Sequence, residues 1–425
     1  GTSVSSLERW QTIAEVLRER IAENCRPLVV CSAVSGISDA LESLVSQSVS
    51  GDPALSIDHI EVRHRELADA LGLTFPGPIE SELHELKRIA AGAALLRELS
   101  PRLQAQVLAT GELMSTRMGA SFLKKQGLDT AWVDARECLR TQEGSETDPH
   151  RLFLSATCSA DPDPDLQARL QAIKAPILLT QGFIASTPGG DTALLGRGGS
   201  DTSAAYFAAR LGATRCEIWT DVPGLYSADP RQVPSARLLK NLDFPEAQEI
   251  ATTGAKVLHP RCIHPVSQAN IPIHIRCTPR PELPGTIIHS ATPDNATGLK
   301  AISIKRGVIL VTMETLGMWQ QVGFLASAFE KFSQHDLSID LVSTSETNVT
   351  VSLDPTANLL NETSLQALLQ DLAPLCKAQV LGPCAAVSLV GRNIRRILHE
   401  IGGALGVFEE HKLHLVSQAA NDLNI

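Results

Sequence analysis

The 425-residue chain has an ordinary globular composition, with 43% hydrophobic and 20% charged residues and a formal net charge of −10. No basic run accompanies this acidic balance, and no apolar stretch reaches the roughly 18 residues that a membrane span needs, so nucleic-acid and membrane partners are not expected. The length suffices for two or three domains with full cores.

The nine cysteines are scattered and include no CxxC pair. An odd number of isolated thiols in a long chain predicts a reduced, cytoplasmic protein rather than a disulfide framework or a zinc site. Both ends look cut, because the chain begins in a turn and stops at "DLNI" (422–425), where a strand pattern starts. We therefore expect a piece of a longer chain, which could continue into a second enzyme domain.

Short, continuously apolar segments alternate with helical patterns through the first two-thirds of the chain. The strand candidates are "LVVC" (28–31), "APILLT" (175–180), "CEIWT" (216–220) and "IPIHI" (271–275). Helical periodicity fills residues 78–96 and 166–173 between them. Strands that are apolar on both faces, separated by helices, predict an α/β domain with a mostly parallel sheet.

The pattern changes after Ile288, where "SATPDNATG" (290–298) has the composition of a linker. Residues 301–314 then alternate like half-buried strands, a helical pattern covers 324–334, and a strand is predicted around 337–342. Part of this order recurs at a constant offset, in which Phe332, His335, Leu337 and Ile339 match Phe408, His411, Leu413 and Leu415. The repeat predicts two small βαββ-type units that pair through their apolar faces.

The stretch "LLGRGGSDTSAAYFAARLGA" (194–213) sets a glycine pair in front of a helical pattern. Gly198 and Gly199 have no Cβ, so the backbone can approach a ligand closely, and Ser200 is predicted as the helix N-cap. The N–H groups of a helix N-terminus attract anions, and the guanidinium of Arg197 fits a carboxylate or a phosphate. Taken alone, the stretch is equally consistent with a plain capped loop.

Two further motifs place polar residues where ligands bind in open α/β sheets. Thr220 and Asp221 open "TDVPGLYSADPR" (220–231) at the predicted carboxyl end of a strand, where Tyr226 can stack and Arg231 can neutralise phosphate. "TTGAKVLHP" (252–260) places Lys256 shortly after a glycine, and "TGELMS" (110–115) places Glu112 at the start of a helical pattern. Each of these residues also has a purely structural interpretation. Glu112 could be an acidic residue in the first turn of a helix, Asp221 a helix cap and Tyr226 a packing residue. Arg231 could be a solvated charge and His259 a turn residue.

Taken in order, "GTSVSS", "VVCSAVSGISD", "GELMSTRM", "TQGFIAS", "LGRGGSDTSAA", "WTDVPGLYSADPR" and "GAKVLHP" resemble the motifs of the aspartokinases, in the amino-acid kinase family. The likeness runs over nearly the whole chain, and its specificity lies in the ordered set. It implies an α/β three-layer sandwich with a mostly parallel sheet at residues 1–290. Two regulatory units of the ACT type (βαββαβ) would follow, at 300–380 and, truncated, at 381–425.

The resemblance implies ATP-dependent phosphorylation of the β-carboxylate of L-aspartate, the first step toward lysine, threonine and methionine. In the family, an arginine turn holds the substrate α-carboxylate, and it matches Arg197, Gly198, Gly199 and Ser200. A family glutamate binds the substrate ammonium and matches Glu112, and a family threonine that makes a further contact matches Ser38. Asp201 and Lys256 match the catalytic positions. The β-carboxylate is ionised at neutral pH, since its pKa is near ~4, so no general base is required.

The same resemblance implies a site for ATP and Mg²⁺. The matching residues are Gly1, Thr220, Asp221, Tyr226, Arg231, Lys256 and Val257, and no side chain is expected to ligate a metal on its own. A family lysine that contacts the transferring phosphate belongs to the segment that precedes Gly1. Cations around the γ-phosphate are what phosphoryl transfer requires, because an anion must meet a polyanion.

The second region resembles the effector-binding segment of lysine-sensitive aspartokinases. Asp340 lies inside the apolar run "LSIDLV" (337–342), and a buried carboxylate is costly unless it meets a cation, either a ligand ammonium or an internal Lys or Arg. By resemblance the lysine site comprises Met318, Gly323, Phe324, Leu325, Ser338, Asp340, Thr344, Ser345 and Glu346. Val416 takes the place of Asp340 in the second repeat. The second repeat is therefore expected to pair with another unit rather than to bind an amino acid, and the protein is expected to form a homodimer or a dimer of dimers.

Two alternatives remain open at this stage. The chain could be another amino-acid kinase, acting on glutamate, acetylglutamate or UMP. It could also be a non-catalytic sensor that binds an amino acid without transferring phosphate.

Overall fold

The computed structural model describes residues 1–50, 53–142, 148–255, 257–290, 298–315, 322–355, 358, 360–400, 402–418 and 421–425. The chain forms two compact units. Unit 1 comprises Gly1–Leu225, Leu238–Ala251 and Lys256–Thr292, and unit 2 comprises Tyr226–Arg237, Thr252–Ala255 and Pro293–Ile425.

The helices and strands follow one another along both units. The α-helices are α1 (Leu7–Ala22), α2 (Ile37–Ser50), α3 (Ala54–Ala70), α4 (Gly77–Leu96), α5 (Pro101–Lys125), α6 (Ala135–Cys138), α7 (Pro149–Leu154), α8 (Pro164–Ala172), α9 (Gly199–Leu211), α10 (Phe244–Thr252), α11 (Ile263–Gln268), α12 (Phe324–Gln334), α13 (Glu362–Leu372) and α14 (Gly402–Gly406). Short 3₁₀ helices cover Thr2–Val4, Pro260–Cys262 and Ile394–Glu400. The strands are β1 (Leu28–Cys31), β2 (Thr130–Trp132), β3 (Ile177–Gln181), β4 (Ile184–Ser186), β5 (Thr192–Leu194), β6 (Cys216–Thr220), β7 (Asn241–Asp243), β8 (Ile273–Cys277), β9 (Thr286–His289), β10 (Gly298–Glu314), β11 (Val342–Thr344), β12 (Asn348–Leu353) and β13 (Lys377–Arg392).

Unit 1 contains a parallel sheet in the order β1-β3-β2. Both faces of this sheet are covered, because Ile177 and Leu179 of β3 belong to one hydrophobic cluster while Leu178 belongs to another. The first cluster also holds Trp10 of α1 and Phe122 of α5. The apolar strands therefore have the two-sided burial that their sequence predicts.

A second sheet of unit 1 has the order β6-β8-β9-β7, with β6 parallel to β8, β8 antiparallel to β9, and β9 parallel to β7. Strands β3 and β8 begin at Ile177 and Ile273, two residues later than the apolar runs that predict them. Pro176 and Pro272 explain the difference, since a proline has no N–H to donate to a ladder. The mostly parallel α/β architecture is as the sequence predicts.

Unit 2 contains an antiparallel sheet in the order β11-β12-β10-β13, with α12 and α13 packed into its core through Phe332 and Leu368. The helix α12 has the predicted bounds. Strand β13 runs across the expected border between residues 380 and 381, so the two-unit division of this region stays a prediction. Most of the predicted linker, residues 291–297, lies outside the described residues.

The predicted strand at 337–342 is wrong in extent, because β11 begins only at Val342. The side chain of Asn358 explains this: its Oδ1 accepts from the Ser338 N–H at 2.6 Å, and its Nδ2 donates to the Ser338 carbonyl at 3.0 Å. These bonds satisfy the backbone that a ladder would otherwise use. In the second copy of the repeat, residues 412–418 form no strand.

Candidate active site

Helix α9 begins two residues earlier than the sequence predicts. It starts at Gly199 with Gly198 at the N-cap, so the prediction of Ser200 as N-cap is wrong. The reason is conformational: Gly198 has φ +68°, which glycine adopts without strain. Because glycine has no side chain to cap the helix, the first N–H groups of α9 are not satisfied by the N-cap residue and can bind an anion.

Close packing against two rings also requires the glycine pair. A Cβ at position 198 would lie 2.0 Å from Cγ of His259, and one at 199 would lie 2.5 Å from Cδ2 of Phe183. The sequence predicts that a ligand uses this closeness, whereas in the structure the protein's own side chains already occupy it. His259 has the turn role expected from sequence, since its Nδ1 accepts from the Arg261 N–H and caps the 3₁₀ helix Pro260–Cys262.

Carboxylates from three elements lie around the first residue of the chain. Glu112 of α5, Asp201 of α9 and Asp221 after β6 each interact electrostatically with Gly1. Burial raises the pKa of Asp201, whose Oδ2 accepts from the His259 N–H at 3.4 Å. The structure thus brings three of the predicted site residues into one electrostatic neighbourhood.

Glu112 lies in the middle of α5 rather than at the start of a helix, so that detail of the sequence prediction is wrong. Its side chain is only 3% exposed, and its Oε1 accepts from the backbone N–H of Ala33 at 3.1 Å. Burial raises the pKa of this carboxyl to about 7, and the bond from Ala33 opposes the rise. A carboxylate buried to this degree is well suited to a cationic partner such as a substrate ammonium.

Of the remaining predicted contacts with the substrate, Ser38 and Arg197 are exposed, Gly198 and Ser200 are partly buried and Gly199 is buried. Ser38 lies in the first turn of α2, which follows Gly36 in the left-handed region. Arg197 has neither a hydrogen bond nor an ion pair with any residue in the described ranges. An exposed guanidinium without an internal partner can bind a carboxylate bidentately.

Thr220 and Asp221 lie at the carboxyl end of β6, as predicted, and the Thr220 hydroxyl donates to Asp221 Oδ1 at 3.1 Å. Ser3 joins the beginning of the chain to this edge. Its Oγ lies 2.9 Å from Oγ1 of Thr278 and donates to the Trp219 carbonyl at 3.4 Å. Sequence reasoning missed Ser3 and Thr278 as individual residues, although Ser3 belongs to the quoted motif "GTSVSS".

The other predicted nucleotide residues are distributed differently. Val257 is partly buried in unit 1, and Lys256 lies outside the described residues. Tyr226 and Arg231 belong to unit 2, where the Arg231 guanidinium donates to both Asp229 oxygens at 3.0 and 3.1 Å. Those hydrogen bonds lower the pKa of Asp229 to about 2. The contact of Tyr226 and Arg231 with the nucleotide stays a prediction.

In unit 2, Asp340 meets an internal cation. Its Oδ2 lies 3.8 Å from Nζ of Lys305, which also pairs with Asp354 at 2.9 Å. Burial raises the pKa of Asp340, Lys305 lowers it and Asp354 raises it. The sequence leaves open whether Asp340 meets a ligand ammonium or an internal Lys or Arg. In the structure the nearby cation is internal, the ammonium of Lys305.

The other predicted effector residues lie in or beside α12 and β11 of unit 2, apart from Met318, which is outside the described residues. Gly323 is the N-cap of α12 at φ +90°; Phe324 and Leu325 are the first two residues of this helix, the former buried and the latter 41% exposed. Thr344 is the last residue of β11, and Ser345 and Glu346 belong to the connection from β11 to β12, in which the Ser345 Oγ accepts from the Asn348 N–H at 3.1 Å.

Two further features, a membrane-spanning helix and a cluster of metal-ligating side chains, are absent from the described residues. These residues contain no helix that is long and apolar enough to cross a membrane. Within the same ranges, no three His, Cys, Asp or Glu side chains are grouped so as to hold a metal ion.

Comparison with known proteins decides the family. The family model described as "Amino acid kinase family" matches residues 1–277. The lysine-sensitive aspartokinase 3 of Escherichia coli K12 is 33% identical over the whole chain, which covers 93% of that relative. The chain belongs to the aspartokinases of the amino acid kinase family.

Plant and solved relatives agree with this assignment. The chloroplastic aspartokinase 3 of Arabidopsis thaliana is 30% identical over the whole chain, which covers 77% of that relative. The structure of E. coli aspartokinase III with aspartate and ADP, in its R-state, matches with a TM-score of 0.85, and the T-state complex with lysine and aspartate matches with 0.77; both are 33% identical, and 93% of each is covered. These aspartokinase folds agree with the α/β kinase architecture followed by ACT-type regulation that the sequence predicts.

Proposed function

We propose that this aspartokinase transfers the γ-phosphoryl group of ATP to the β-carboxylate of L-aspartate, giving 4-phospho-L-aspartate. The observation that carries the proposal is the full-length match to an E. coli relative whose solved complex contains aspartate and ADP. Within unit 1, a buried carboxylate and an exposed guanidinium that has no partner among the described residues offer the two opposite charges that a zwitterionic amino acid needs.

The substrate is held by residues of opposite charge on different elements. Glu112 binds the α-ammonium, and Arg197 binds the α-carboxylate together with the backbone of Gly198 and Gly199. Ser38 and Ser200 supply hydroxyl groups. Fixing both ends of the amino-acid group determines where the β-carboxylate lies, and such orientation can contribute several of the ~7–11 kcal/mol available from positioning.

The nucleotide is bound near the carboxyl end of β6. Gly1, Thr220, Asp221, Tyr226, Arg231, Lys256 and Val257 form the ATP site in this proposal, and Asp201 and Lys256 act at the reacting phosphoryl group. Mg²⁺ arrives with ATP, bound mainly through phosphate oxygens, and its chemistry is to neutralise phosphate charge. Because the attacking β-carboxylate is already ionised, none of these residues acts as a general base.

Feedback regulation takes place in unit 2. We propose L-lysine as the effector, with its ammonium at Asp340 and its contacts supplied by Met318, Gly323, Phe324, Leu325, Ser338, Thr344, Ser345 and Glu346. Lysine inhibits only if it binds the inactive state more tightly than the active state.

The proposal also includes localisation and assembly. We propose a cytoplasmic enzyme that assembles as a homodimer or a dimer of dimers through its ACT-type units.

The test is the initial rate of ADP release by the complete natural protein with ATP, Mg²⁺ and a series of acceptors: aspartate, glutamate, acetylglutamate and UMP. We expect turnover with aspartate, inhibited by lysine. Turnover with another acceptor alone would replace the proposal by a different amino-acid kinase. Lysine binding without turnover on any acceptor would favour an amino-acid sensor.

A second measurement tests the role of Arg197. Replacing Arg197 by Ala removes the guanidinium that orients the α-carboxylate, so we expect the KM for aspartate to rise strongly and kcat to fall, with the KM for ATP little changed. An aspartate KM equal to that of the wild type would refute the assigned role.

A further inference from the structure

The turn that carries Arg197 rests on another part of unit 1, the segment 259–261. Nη1 of Arg261 donates to the Leu195 carbonyl at 2.7 Å, and Nη2 donates to the Ala156 carbonyl at 3.2 Å. Both acceptor residues are buried, at 0% and 5% exposure. One planar guanidinium therefore joins two segments of the chain that have little access to water as an alternative partner.

The hydrogen bond from Arg261 to Leu195 lies close to Arg197 in the chain. Leu195 is two residues before Arg197, and the intervening Gly196 has φ +72°, in the left-handed region that glycine adopts without strain. The Ala156 N–H donates to the Leu194 carbonyl at 2.8 Å, so Arg261 closes a ring of hydrogen bonds around the base of the turn. This ring ends at Leu195, immediately before Gly196 and Arg197.

The same segment also holds the far side of the turn. The His259 ring packs against Gly198, and the His259 N–H donates to Asp201. His259 and Arg261 are themselves joined, because Nδ1 of His259 accepts from the Arg261 N–H at 3.3 Å. Contacts on both sides of Arg197 thus come from two residues of this short segment, His259 and Arg261.

We propose that Arg261 is a positioning residue for the amino-acid substrate, which acts through Leu195 and Ala156 to aim Arg197 at the α-carboxylate. The inference rests on the proposed function, since it takes Arg197 as the residue that binds aspartate. Arg261 itself touches neither substrate nor nucleotide in this proposal. Its loss is therefore expected to affect aspartate kinetics chiefly through Arg197.

The test replaces Arg261 by Lys in the full-length chain. A single ammonium cannot donate in one plane to both carbonyls, so the turn loses its orientation. We expect the KM for aspartate to rise about tenfold, because displacement of a positioning group by about 1 Å can cost up to ~100-fold, while the KM for ATP stays within about twofold.

Arg26 provides a matched control in the same unit. Its guanidinium also donates to two backbone carbonyls, those of Ile173 and Ala175, but it lies before β1 at the opposite, amino end of the parallel sheet. Replacing Arg26 by Lys makes the same chemical change and is expected to lower thermal stability without raising the aspartate KM. An equal rise of KM in both variants would overturn the proposal in favour of general destabilisation.

A double-mutant cycle separates positioning from a merely structural role. In a chain that already carries Arg197→Ala, Arg261→Lys is expected to change the aspartate KM less than about twofold, since nothing is left to aim. Additive effects, or a folded Arg261→Lys enzyme with the wild-type KM, would overturn the proposal. If Arg261→Lys does not fold, Arg261→Gln is measured in the same cycle with the same expectation. Absence of aspartate turnover in the wild-type chain would instead refute the proposed function, and the inference with it.

Discussion

The buried carboxyl of Glu112 makes the sharpest prediction, because replacing it by Gln separates charge from shape. Gln keeps an acceptor for the Ala33 N–H, which Glu112 Oε1 now accepts at 3.1 Å, but it cannot ionise. Burial raises the pKa of Glu112 from 4.5 to about 7 in the folded chain. The empty enzyme is therefore destabilised when this carboxyl loses its proton.

The sign and size follow from proton linkage. Between pH 4.5 and about 7 the folded chain retains a proton that the unfolded chain has released, so wild-type stability falls as pH rises through this window. With those two pKa values and about 1.4 kcal/mol per unit, Glu112 lowers the free energy of unfolding by about 2 kcal/mol between pH 5.5 and pH 8. Glu112→Gln cannot undergo this loss, because the amide does not ionise. The free energy of unfolding of the variant minus that of the wild type is therefore expected to increase by about 2 kcal/mol from pH 5.5 to pH 8.

Paired urea titrations of wild type and Glu112→Gln at pH 5.5 and pH 8 measure this difference, since other titrating groups cancel between the two proteins. Catalysis is expected to change in the opposite direction: without an anion for the ammonium, kcat/KM for aspartate falls at least about 100-fold. The KM for ATP serves as the control. A stability difference that does not change with pH would refute the effect of burial on this carboxyl, and an unchanged kcat/KM would refute the assigned role.

Three further predictions concern other parts of the chain. Asp340→Ala removes the proposed partner of the effector ammonium, so lysine inhibition is expected to disappear in rate assays while turnover without lysine persists; retained inhibition would move the effector site elsewhere. Lys305→Met removes the cation 3.8 Å from Asp340, so half-inhibition is expected at about threefold less lysine, and an unchanged value would contradict competition between the two ammonium groups. His64 of α3 is fully buried, its Nε2 has no partner in the described part of the chain, and burial lowers the pKa of its ring. The contribution of His64 to wild-type stability is therefore expected to fall as pH drops below about 6.5. The free energy of unfolding of His64→Leu minus that of the wild type should then be larger at pH 5.5 than at pH 7.5 in urea titrations, and an unchanged difference would refute this.

Much of the architecture could be predicted from local pattern. The helix at 324–334 and the strands at 28–31 and 216–220 have the predicted bounds, because each combines a clear apolar period with an abrupt polar or glycine boundary. Proline shifted two other strands by two residues, a correction that the sequence itself contains. The family motifs likewise predict the candidate site residues one by one, since their order and spacing are properties of the chain alone.

Contacts between segments that are distant in sequence could not be predicted from local pattern. The strand predicted at 337–342 is shortened by Asn358, which lies beyond the next strand along the chain. No local pattern places Lys305 beside Asp340, His259 beneath Gly198, or Arg261 on the carbonyls of Leu195 and Ala156. Composition and local period are read along the chain, so they establish which residue types are available for the chemistry. Their partners, burial and pKa values depend on contacts between residues far apart in sequence, which exist only once the chain has folded.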